Sequence, residues 1–307
     1  MANIYCNIDT GSDSNPGTQA SPYKTFSKGV STIASGDTVY LEASTTAYAW
    51  TSKTFPANVS IIGSVKPNPV AGSYVKIDGF GASLSWTFTA SYNIQNIWLN
   101  NVVNSTATTL IGIDRNTTGP IVANYTDCII SNMASGSSTA GRGGVLMGGG
   151  SVSAYKASSI TFNMTNCVFK DIEAYNSTAA GCLFINGSGT QHVLNMTSCS
   201  WYQGTPTRYA LDAIVGDYAS NLSTVNIKNM AIVNNSGQNL TIHGAYDSAG
   251  MNAWYSYNID GSTYTNIVTT NGNITNSTNA DALYLDPATN DFRLKPTSPA
   301  IDRGVIV

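Results

Sequence analysis

The sequence predicts an all-β solenoid, a parallel β-helix in which short strands coil around one continuous core. A short pattern of residues recurs along most of the chain, and apolar residues alternate with polar ones on both sides of it. Such alternation is typical of strands with one buried face. A polar residue interrupts the alternation at the same place in each copy, which indicates a corner between two strands.

The repeat has four strong copies, two fainter ones that begin at Ile94 and Tyr264, and one further possible copy at residues 55–61. Successive anchor residues are separated by 31 to 39 positions, a period typical of solenoids. The strong copies are residues 125–130, 164–169, 196–201 and 227–232, and the anchors are Val59, Ile97, Cys128, Cys167, Cys199, Met230 and Ile267.

The residue before each anchor is predicted to be the corner. Asn and Asp tolerate a left-handed backbone better than other residues with a side chain. We expect Asp127, Asn166, Ser198 and Asn229 to stack, with Cys128, Cys167, Cys199 and Met230 pointing inward. The full set of corners is Asn96, Asp127, Asn166, Ser198, Asn229 and Asn266.

A third apolar run lies between anchors, so each turn of the chain has three strands. Turns of this kind stack at ~4.8 Å, which predicts a rod. Residues 131–160 and 244–262 are predicted outgrowths, the first of them rich in glycine. The third runs are residues 109–112, 145–148, 182–186, 213–216 and 240–243.

The composition excludes several partners. Charged residues make up 10% of the chain, against about 25% in an average soluble protein, and the formal net charge is -3. We therefore expect neither nucleic acid nor an anionic membrane as a partner. The first residues lack the basic and apolar regions of a classical signal peptide.

The five cysteines are predicted to be reduced. Three of them occupy inward anchor positions, where a free thiol behaves as a small apolar side chain. They lack the spacing of a metal site and a partnering histidine. No metal or cofactor is therefore expected.

The two ends are predicted to close the coil. A short amphipathic helix within residues 21–34, with Ser21 as N-cap and Pro22 at its first position, is expected to cover the first turn. The predicted divisions are an N-terminal strand and helical cap at residues 1–36, the β-helix at 37–280, and a C-terminal closing segment at 281–307.

Both ends also carry a family resemblance. The opening motifs and the C-terminal segment resemble the pectin-lyase-like superfamily, most closely its phage tailspike and virion-associated members. The resemblance implies a right-handed, single-stranded parallel β-helix. The superfamily contains polysaccharide lyases, glycoside hydrolases, adhesins and tailspikes, so the likeness specifies fold better than function. The motifs are at residues 11–18, 22–26, 36–41, 283–287, 291–294 and 296–304.

Catalytic residues are not evident. The lyase resemblance implies a Lys or Arg base with acidic calcium ligands, and the hydrolase resemblance implies clustered aspartates with Gly-His-Gly and Arg-x-Lys motifs. His243 lies beside Gly244 but lacks the companion motifs. The weak candidates for an acid–base pair are Asp212 and Asp217, which flank one apolar run, and each is also a plausible solvated turn residue.

Aromatic residues of the second predicted outgrowth are candidates for ligand binding. Their rings are suited to stacking on sugar faces or on a neighbouring subunit, or to packing onto the rod. These residues are Tyr246, Trp254, Tyr255 and Tyr257.

The favoured function is a structural or receptor-facing component of a phage virion: a tailspike, fibre or capsid-decorating protein, made in the host cytoplasm. We expect its partners to be other virion proteins, two further copies of itself in a homotrimer, and a surface polysaccharide. The alternatives are a polysaccharide lyase or glycoside hydrolase, and a bacterial surface adhesin.

Overall fold

A computed structural model describes most of the first two thirds of the chain and shorter segments after it. In some of the later strands only the course of the backbone is described. The described residues are 1–68, 70, 72–104, 109–114, 116–135, 144–147, 157–174, 183–185, 191–203, 209–210, 214–216, 223–228, 231–234, 242–243, 246–247, 255–258, 284–286 and 289–298.

Three long sheets of parallel strands make up the architecture. Sheet 1 has nine strands in the described part of the chain and begins with the N-terminal strand itself. Its strands, in spatial order, are β1 (Asn3–Cys6), β2 (Thr38–Leu41), β5 (Val59–Gly63), β8 (Tyr92–Gln95), β12 (Gly119–Thr126), β15 (Ala157–Thr165), β18 (Gln191–Thr197), β22 (Ser223–Lys228) and β25 (Tyr246–Asp247).

Sheets 2 and 3 follow the same spatial order. Sheet 2 consists of β3 (Tyr48–Ala49), β6 (Lys76–Asp78), β9 (Trp98–Asn100), β13 (Ile129–Ser135), β16 (Val168–Ala174), β19 (Ser200–Gln203), β23 (Ala231–Asn234) and β26 (Tyr255–Asn258), with β10 (Val103–Asn104) beside β13 and β20 (Tyr209–Ala210) antiparallel to β16. Sheet 3 consists of β4 (Lys53–Phe55), β7 (Trp86–Phe88), β11 (Thr109–Ile113), β14 (Gly144–Met147), β17 (Leu183–Ile185), β21 (Ile214–Gly216) and β24 (Ile242–His243).

The chain visits the three sheets in turn. After β12 in sheet 1 it enters β13 in sheet 2 and β14 in sheet 3, and it returns to sheet 1 as β15 beside β12. We call one such passage a rung. The predicted third run of each rung contains or overlaps the strands of sheet 3. The all-β, parallel organisation predicted from the repeat is therefore confirmed.

Apolar residues from successive rungs stack on one another in the core. In sheet 1 the buried side chain of Tyr125 pairs in register with Ile94 on one side and Met164 on the other. In sheet 2 Ile130, Phe169 and Trp201 form an equivalent buried column. This register follows from the period-two alternation, because a slip of one residue would move every apolar side chain to the solvent face.

The predicted corners have the predicted conformation. Asn96, Asp127, Asn166 and Ser198 have φ values of 58°, 53°, 53° and 54°, all in the left-handed region. The anchors behind them are buried, including Cys128, Cys167 and Cys199. These three cysteines and Cys6 are free thiols, as predicted. The predicted corners Asn229 and Asn266, the anchors Met230 and Ile267, and Cys182 lie outside the described residues.

The predicted alignment of the further possible copy, residues 55–61 with Val59 as its anchor, is wrong. Val59 pairs with Tyr92 rather than with Ile97, so residues 55–61 cross from sheet 3 to sheet 1. Because Ile62 pairs with Gln95, the residue that corresponds to Asn96 is Gly63. A Cβ atom at Gly63 would lie 2.1 Å from the Asn96 carbonyl oxygen, so this corner requires glycine and carries no polar signature.

The N-terminal helix begins later than predicted. Helix α1 spans Phe26–Ser31, and Thr25 is its N-cap, since the Thr25 side chain accepts a hydrogen bond from the Lys28 amide. Ser21 is not the cap, because its amide closes a turn onto the Thr18 carbonyl and Tyr23 bridges to β1. In this bridge the Tyr23 and Asn7 amides donate to the Tyr5 and Tyr23 carbonyls. No helix in the described part of the chain is long and apolar enough to span a bilayer.

The segments predicted as outgrowths contain strands of the main sheets. Residues 131–135, 144–147 and 157–160 belong to β13, β14 and β15, while β25 and β26 lie within the second segment. The C-terminal part of the chain forms an antiparallel pair, β27 (Tyr284–Asp286) and β28 (Asp291–Leu294). This pair packs on the outer side of sheet 2, where the Phe292 ring meets the Tyr202 ring edge-on at 6.0 Å.

Candidate functional site

A cleft of about 500 Å³ lies outside the corner between sheets 1 and 2. We call it the corner cleft. Corner residues and the first outward residues of sheet 2 form its floor, the loop after β5 forms one wall, and the C-terminal strand pair forms the other. Its lining is Lys66, Pro67, Asn68, Asp127, Cys128, Ile129, Asn166, Cys167, Val168, Ser198, Ser200, Asn290, Asp291, Phe292 and Arg293.

The corner row supplies polar groups at regular intervals. Asp127, Asn166 and Ser198 come from three successive rungs, and the backbone amides of Asp127 and Asn166 donate to the Thr165 and Thr197 carbonyls of the next rung. The rungs are ~4.8 Å apart, so this row runs from rung to rung, across the strands. Among the contacts of the described residues, the Asn166 amide group and the Ser198 hydroxyl have no hydrogen-bond partner, and both residues are exposed.

An apolar strip lies beside the polar row. Ile129 and Val168 are paired in register on the outward side of sheet 2, and Phe292 lines the same cleft from β28. Ile129 is buried, while Val168 and Phe292 are partly exposed and supply most of the apolar surface. The cleft therefore sets hydrogen-bonding groups next to hydrocarbon surface, the combination typical of small-molecule and saccharide pockets.

The loop wall is attached to the corner row by an ion pair. Lys66 Nζ lies 2.5 Å from Asp127 Oδ1. Because the Lys66 side chain is 60% exposed, the pair adds little stability. Its effect on the cleft is to neutralise the Asp127 carboxylate.

The opposite wall carries a second neutral pair. The Arg293 guanidinium donates to both Asp291 oxygens, from Nε at 2.8 Å and from a terminal nitrogen at 2.6 Å. These hydrogen bonds lower the pKa of Asp291 below its usual range. Both carboxylates of the cleft are thus held by cations.

Two contacts attach the C-terminal strand pair to sheet 2, one of them partly buried and the other fully buried. Lys170 Nζ donates to Asn290 Oδ1 at 2.7 Å, and burial lowers the pKa of Lys170. The Tyr284 ring is fully buried, and its hydroxyl is hydrogen-bonded to Ser200, so burial raises the pKa of Tyr284. The wall that contains Asn290 to Arg293 is therefore part of the folded unit.

Lys170 continues a buried polar column on sheet 2. Asn100 donates to Asp78 Oδ2 at 2.8 Å, and Ser131 donates to Asn100 Oδ1 at 2.7 Å. Strand register places Lys170 directly after Ser131. None of these four residues lines the cleft.

The structure only partly places the residues proposed from the sequence. Asp212, Asp217 and Trp254 lie outside the described residues. For the other four the backbone alone is described. His243 is in β24 opposite Val215, Tyr246 is in β25 opposite Ser223, and Tyr255 and Tyr257 are in β26 opposite Ala231 and Val233.

The backbone register relates one of these predictions to the cleft. Ile129, Val168, Ser200, Ala231 and Tyr255 occupy the same position on successive strands of sheet 2. Tyr255 is thus in the same column as the cleft floor. His243 belongs to sheet 3, so it does not share a strand position with Tyr255.

Sequence reasoning recognised the corner residues as structural and missed that they line a cleft. The missing information is the position of the two walls, which come from Lys66 to Asn68 and from Asn290 to Arg293. Neither segment belongs to the repeat, and each reaches the corner row from a distant part of the chain. Among the described residues, no group of three His, Cys, Asp or Glu side chains is arranged to hold a metal ion.

No protein-family model and no curated protein sequence matches this chain. Among solved structures, a rhamnogalacturonan lyase is similar over 84% of this chain and 81% of its own, with 13% sequence identity and a TM-score of 0.39. The architecture given above rests on the strand pairing itself.

The arrangement of charges suits binding better than acid–base chemistry. A glycosidase requires one carboxyl group that stays protonated as a general acid beside one that is ionised. In the corner cleft Asp291 has a lowered pKa and Asp127 is paired with Lys66. What remains for a ligand is the unpaired amide and hydroxyl groups and the apolar strip.

Proposed function

We propose that this chain is a right-handed parallel β-helix that binds a neutral, extended polysaccharide in the corner cleft. The observation that carries the proposal is that the Asn166 amide group and the Ser198 hydroxyl, which have no partner among the described contacts, lie beside an apolar strip. Sugar rings have C–H faces and hydroxyl edges, and the two parts of the cleft complement them. Connections between parallel strands of one sheet are right-handed in nearly all proteins, which supports the handedness.

The charge of the cleft favours a neutral ligand. Lys66 and Arg293 contribute two positive charges, and Asp127 and Asp291 contribute two negative ones, so the formal charge of the lining is zero. Binding of a uronic acid polymer, which is anionic, would require cationic side chains in the cleft that are not already paired with carboxylates. Both cations of the lining are already bound to carboxylates.

The shape of the row favours a polymer. Each rung adds one corner side chain, so a ligand that follows the row meets one polar group per rung at a spacing of ~4.8 Å. A ligand much shorter than two rungs would contact only part of it. The affinity should therefore rise with the length of the saccharide.

The proposed setting is a virion, with the rod as its receptor-facing or structural component and a homotrimer as its assembly. The composition supports this setting, since 10% charged residues and a net charge of -3 leave little repulsion between rods. Electron microscopy of purified particles tests it. Threefold projections labelled by an antibody to the chain are expected, and single chains or unlabelled particles would contradict the assignment.

Affinity electrophoresis in gels containing galactomannan, mixed-linkage β-glucan or dextran tests the binding. We expect retardation by at least one of the three and little by polygalacturonate or alginate. The Asn166→Gly/Ser198→Gly variant should lose roughly tenfold in affinity, since glycine keeps the left-handed backbone and removes the polar groups. Asn58→Gly is the matched control, because Asn58 has φ of 56° and lies outside the cleft.

Two outcomes would overturn the proposal: no retardation by any neutral polysaccharide, or equal retardation of the cleft variant and the control. The same samples are assayed for new reducing ends and for unsaturated products. We expect neither. Turnover that Asp212→Ala or Asp217→Ala abolishes would instead support the lyase or hydrolase alternative.

A further inference from the structure

A second pocket of about 340 Å³ lies near the N-terminal end of the coil. Two tyrosines on neighbouring strands dominate it. The rings of Tyr5 and Tyr40 stack with their centroids 5.1 Å apart and their planes 15° apart. We call this pocket the tyrosine platform, and its lining is Tyr5, Cys6, Asn7, Gln19, Pro22, Tyr40, Glu42 and Ser64.

The polar groups of the platform are available to a ligand. Among the described contacts, the hydroxyls of Tyr5 and Tyr40 and the carboxylate of Glu42 have no hydrogen-bond partner. Both tyrosines are partly exposed and Glu42 is exposed. Cross-strand stacking explains the ring geometry by itself. It does not explain why the two tyrosine hydroxyls and the Glu42 carboxylate line one pocket with no partner among the described contacts. The Asn7 amide oxygen is already bonded, since it accepts from the Asp9 and Thr10 amides.

The platform lies on the same side of the coil as the corner cleft. Strand register places Tyr5 and Tyr40 in one outward column of sheet 1, directly before the corner row. That column continues through Ile62, Gln95, Thr126, Thr165 and Thr197.

One short loop separates the two pockets. Ser64 lines the platform and its hydroxyl accepts a hydrogen bond from the Ala43 amide, while Lys66 lines the corner cleft and pairs with Asp127. The segment 64–68 is thus fixed on both sides and contributes to both pockets. A chain that lies along the corner row and continues toward the N-terminal end reaches the tyrosines.

We infer that the tyrosine platform is a second saccharide subsite for the same neutral polysaccharide. This inference rests on the proposed function. The rings offer the aromatic surface on which C–H faces of sugars stack, and the surrounding hydroxyl, amide and carboxylate groups bind sugar hydroxyls. Glu42 is the one charged residue of the lining, and its negative charge disfavours uronic acids at this end as well.

The test uses the full chain in the same affinity gels. Tyr5→Ala/Tyr40→Ala should weaken binding to the retarding neutral polysaccharide by roughly three- to tenfold, whereas Tyr40→Phe should stay within about twofold because the ring remains. Tyr74→Ala is the matched control: Tyr74 is partly exposed, its ring centroid lies 5.0 Å from that of Trp98, and it lines neither pocket. Circular dichroism and urea unfolding establish that each variant is folded.

Nitration of tyrosines by tetranitromethane, followed by mass spectrometry, gives a readout that does not depend on variants. The polysaccharide should protect Tyr5 and Tyr40 and leave Tyr74 reactive. Unchanged nitration of Tyr5 and Tyr40, together with binding that only the Asn166→Gly/Ser198→Gly variant weakens, would overturn the platform and leave the corner cleft standing. No binding to any neutral polysaccharide would overturn both.

Discussion

The N-terminal rungs and the middle rungs fill the same kind of core in different ways. In the middle, Met164 and Met196, then Cys167 and Cys199, stack like on like in neighbouring rungs. At the N-terminal end the core is an aromatic cluster centred on Trp86, with rings of different sizes at different angles. The core of the middle rungs is therefore built from the same residue types in successive rungs. The core of the N-terminal rungs depends instead on how individual aromatic rings fit together.

The largest effect is expected at the centre of the aromatic cluster. The Trp86 ring lies 4.4 Å from Trp50, 5.4 Å from Phe55 and 5.5 Å from Phe26, measured between centroids, and its side chain is fully buried. Trp86→Ala should lower the free energy of unfolding by about 4 kcal/mol. Met196→Leu, in the middle rungs, should cost less than about 1.5 kcal/mol, because methionine sites repack.

Urea unfolding followed by circular dichroism measures both changes. Equal losses at Trp86 and Met196 would contradict the proposed contrast between the two ends.

The contrast also explains how far the sequence predicted the structure. The corners Asp127, Asn166 and Ser198 were predictable because a left-handed backbone favours short polar residues, and these interrupt the apolar alternation at the same place in each copy of the repeat. Gly63 holds the corresponding position without the left-handed backbone; glycine is required there by the close contact with the Asn96 carbonyl, and it carries no side chain to recognise. The start of the helix was predicted too early because Tyr23 forms backbone hydrogen bonds with Tyr5 and Asn7. These residues are distant in the sequence, so no local pattern reveals the contact.

The corner cleft was only half predictable for a similar reason. Its floor repeats with the rungs, so its residues were identified. Its walls are single segments at 66–68 and 290–293, brought to the corner by the Lys66–Asp127 pair and the Lys170–Asn290 hydrogen bond. Such contacts between distant, non-repeating segments leave no periodic signal.

Gly63→Ala should produce the next largest effect. Its Cβ would lie 2.1 Å from the Asn96 carbonyl oxygen, so we expect a loss of about 3 kcal/mol. Gly72→Ala is the control, since its φ is 75° but no atom lies within 4 Å of the added Cβ. It should cost about 1 kcal/mol from the backbone conformation alone. Similar unfolding midpoints for the two variants would contradict the close packing of Gly63 against Asn96, and with it the alignment of Gly63 with the corner position.

Asp37 should make the stability of the N-terminal rungs depend on pH. Its carboxylate accepts hydrogen bonds from the Ala2 amide at 2.6 Å and the Ala34 amide at 2.9 Å, and these bonds lower the pKa of Asp37. Asp37→Asn should therefore cost about 2 kcal/mol at neutral pH.

The sign of the pH effect follows from the lowered pKa. The contribution of Asp37 is fully present above the unfolded-state pKa of about 3.9 and is lost as the pH falls through the lower folded-state value. Urea unfolding of the two proteins at about pH 7 and about pH 2 measures it. A difference between wild type and Asp37→Asn that persists in acid would show that packing, rather than charge, is responsible.

The smallest effect is expected in the cysteine column. Cys167 is fully buried and its thiol lies 3.5 Å from the Tyr125 carbonyl oxygen. Cys167→Ala should cost about 1 kcal/mol, since it removes one small apolar group from a column of like neighbours. Titration of thiols in the denatured variant should count one fewer than in wild type. A loss above about 3 kcal/mol would indicate that the column does more than fill space.

A crystal structure with a neutral oligosaccharide from the retarding polysaccharide tests the central claim most directly. We predict sugar rings along the corner row, over Val168 and beside Phe292, with hydroxyls bonded to Asn166 and Ser198. Sugar bound on sheet 3, or at any site that leaves the corner cleft empty, would contradict it.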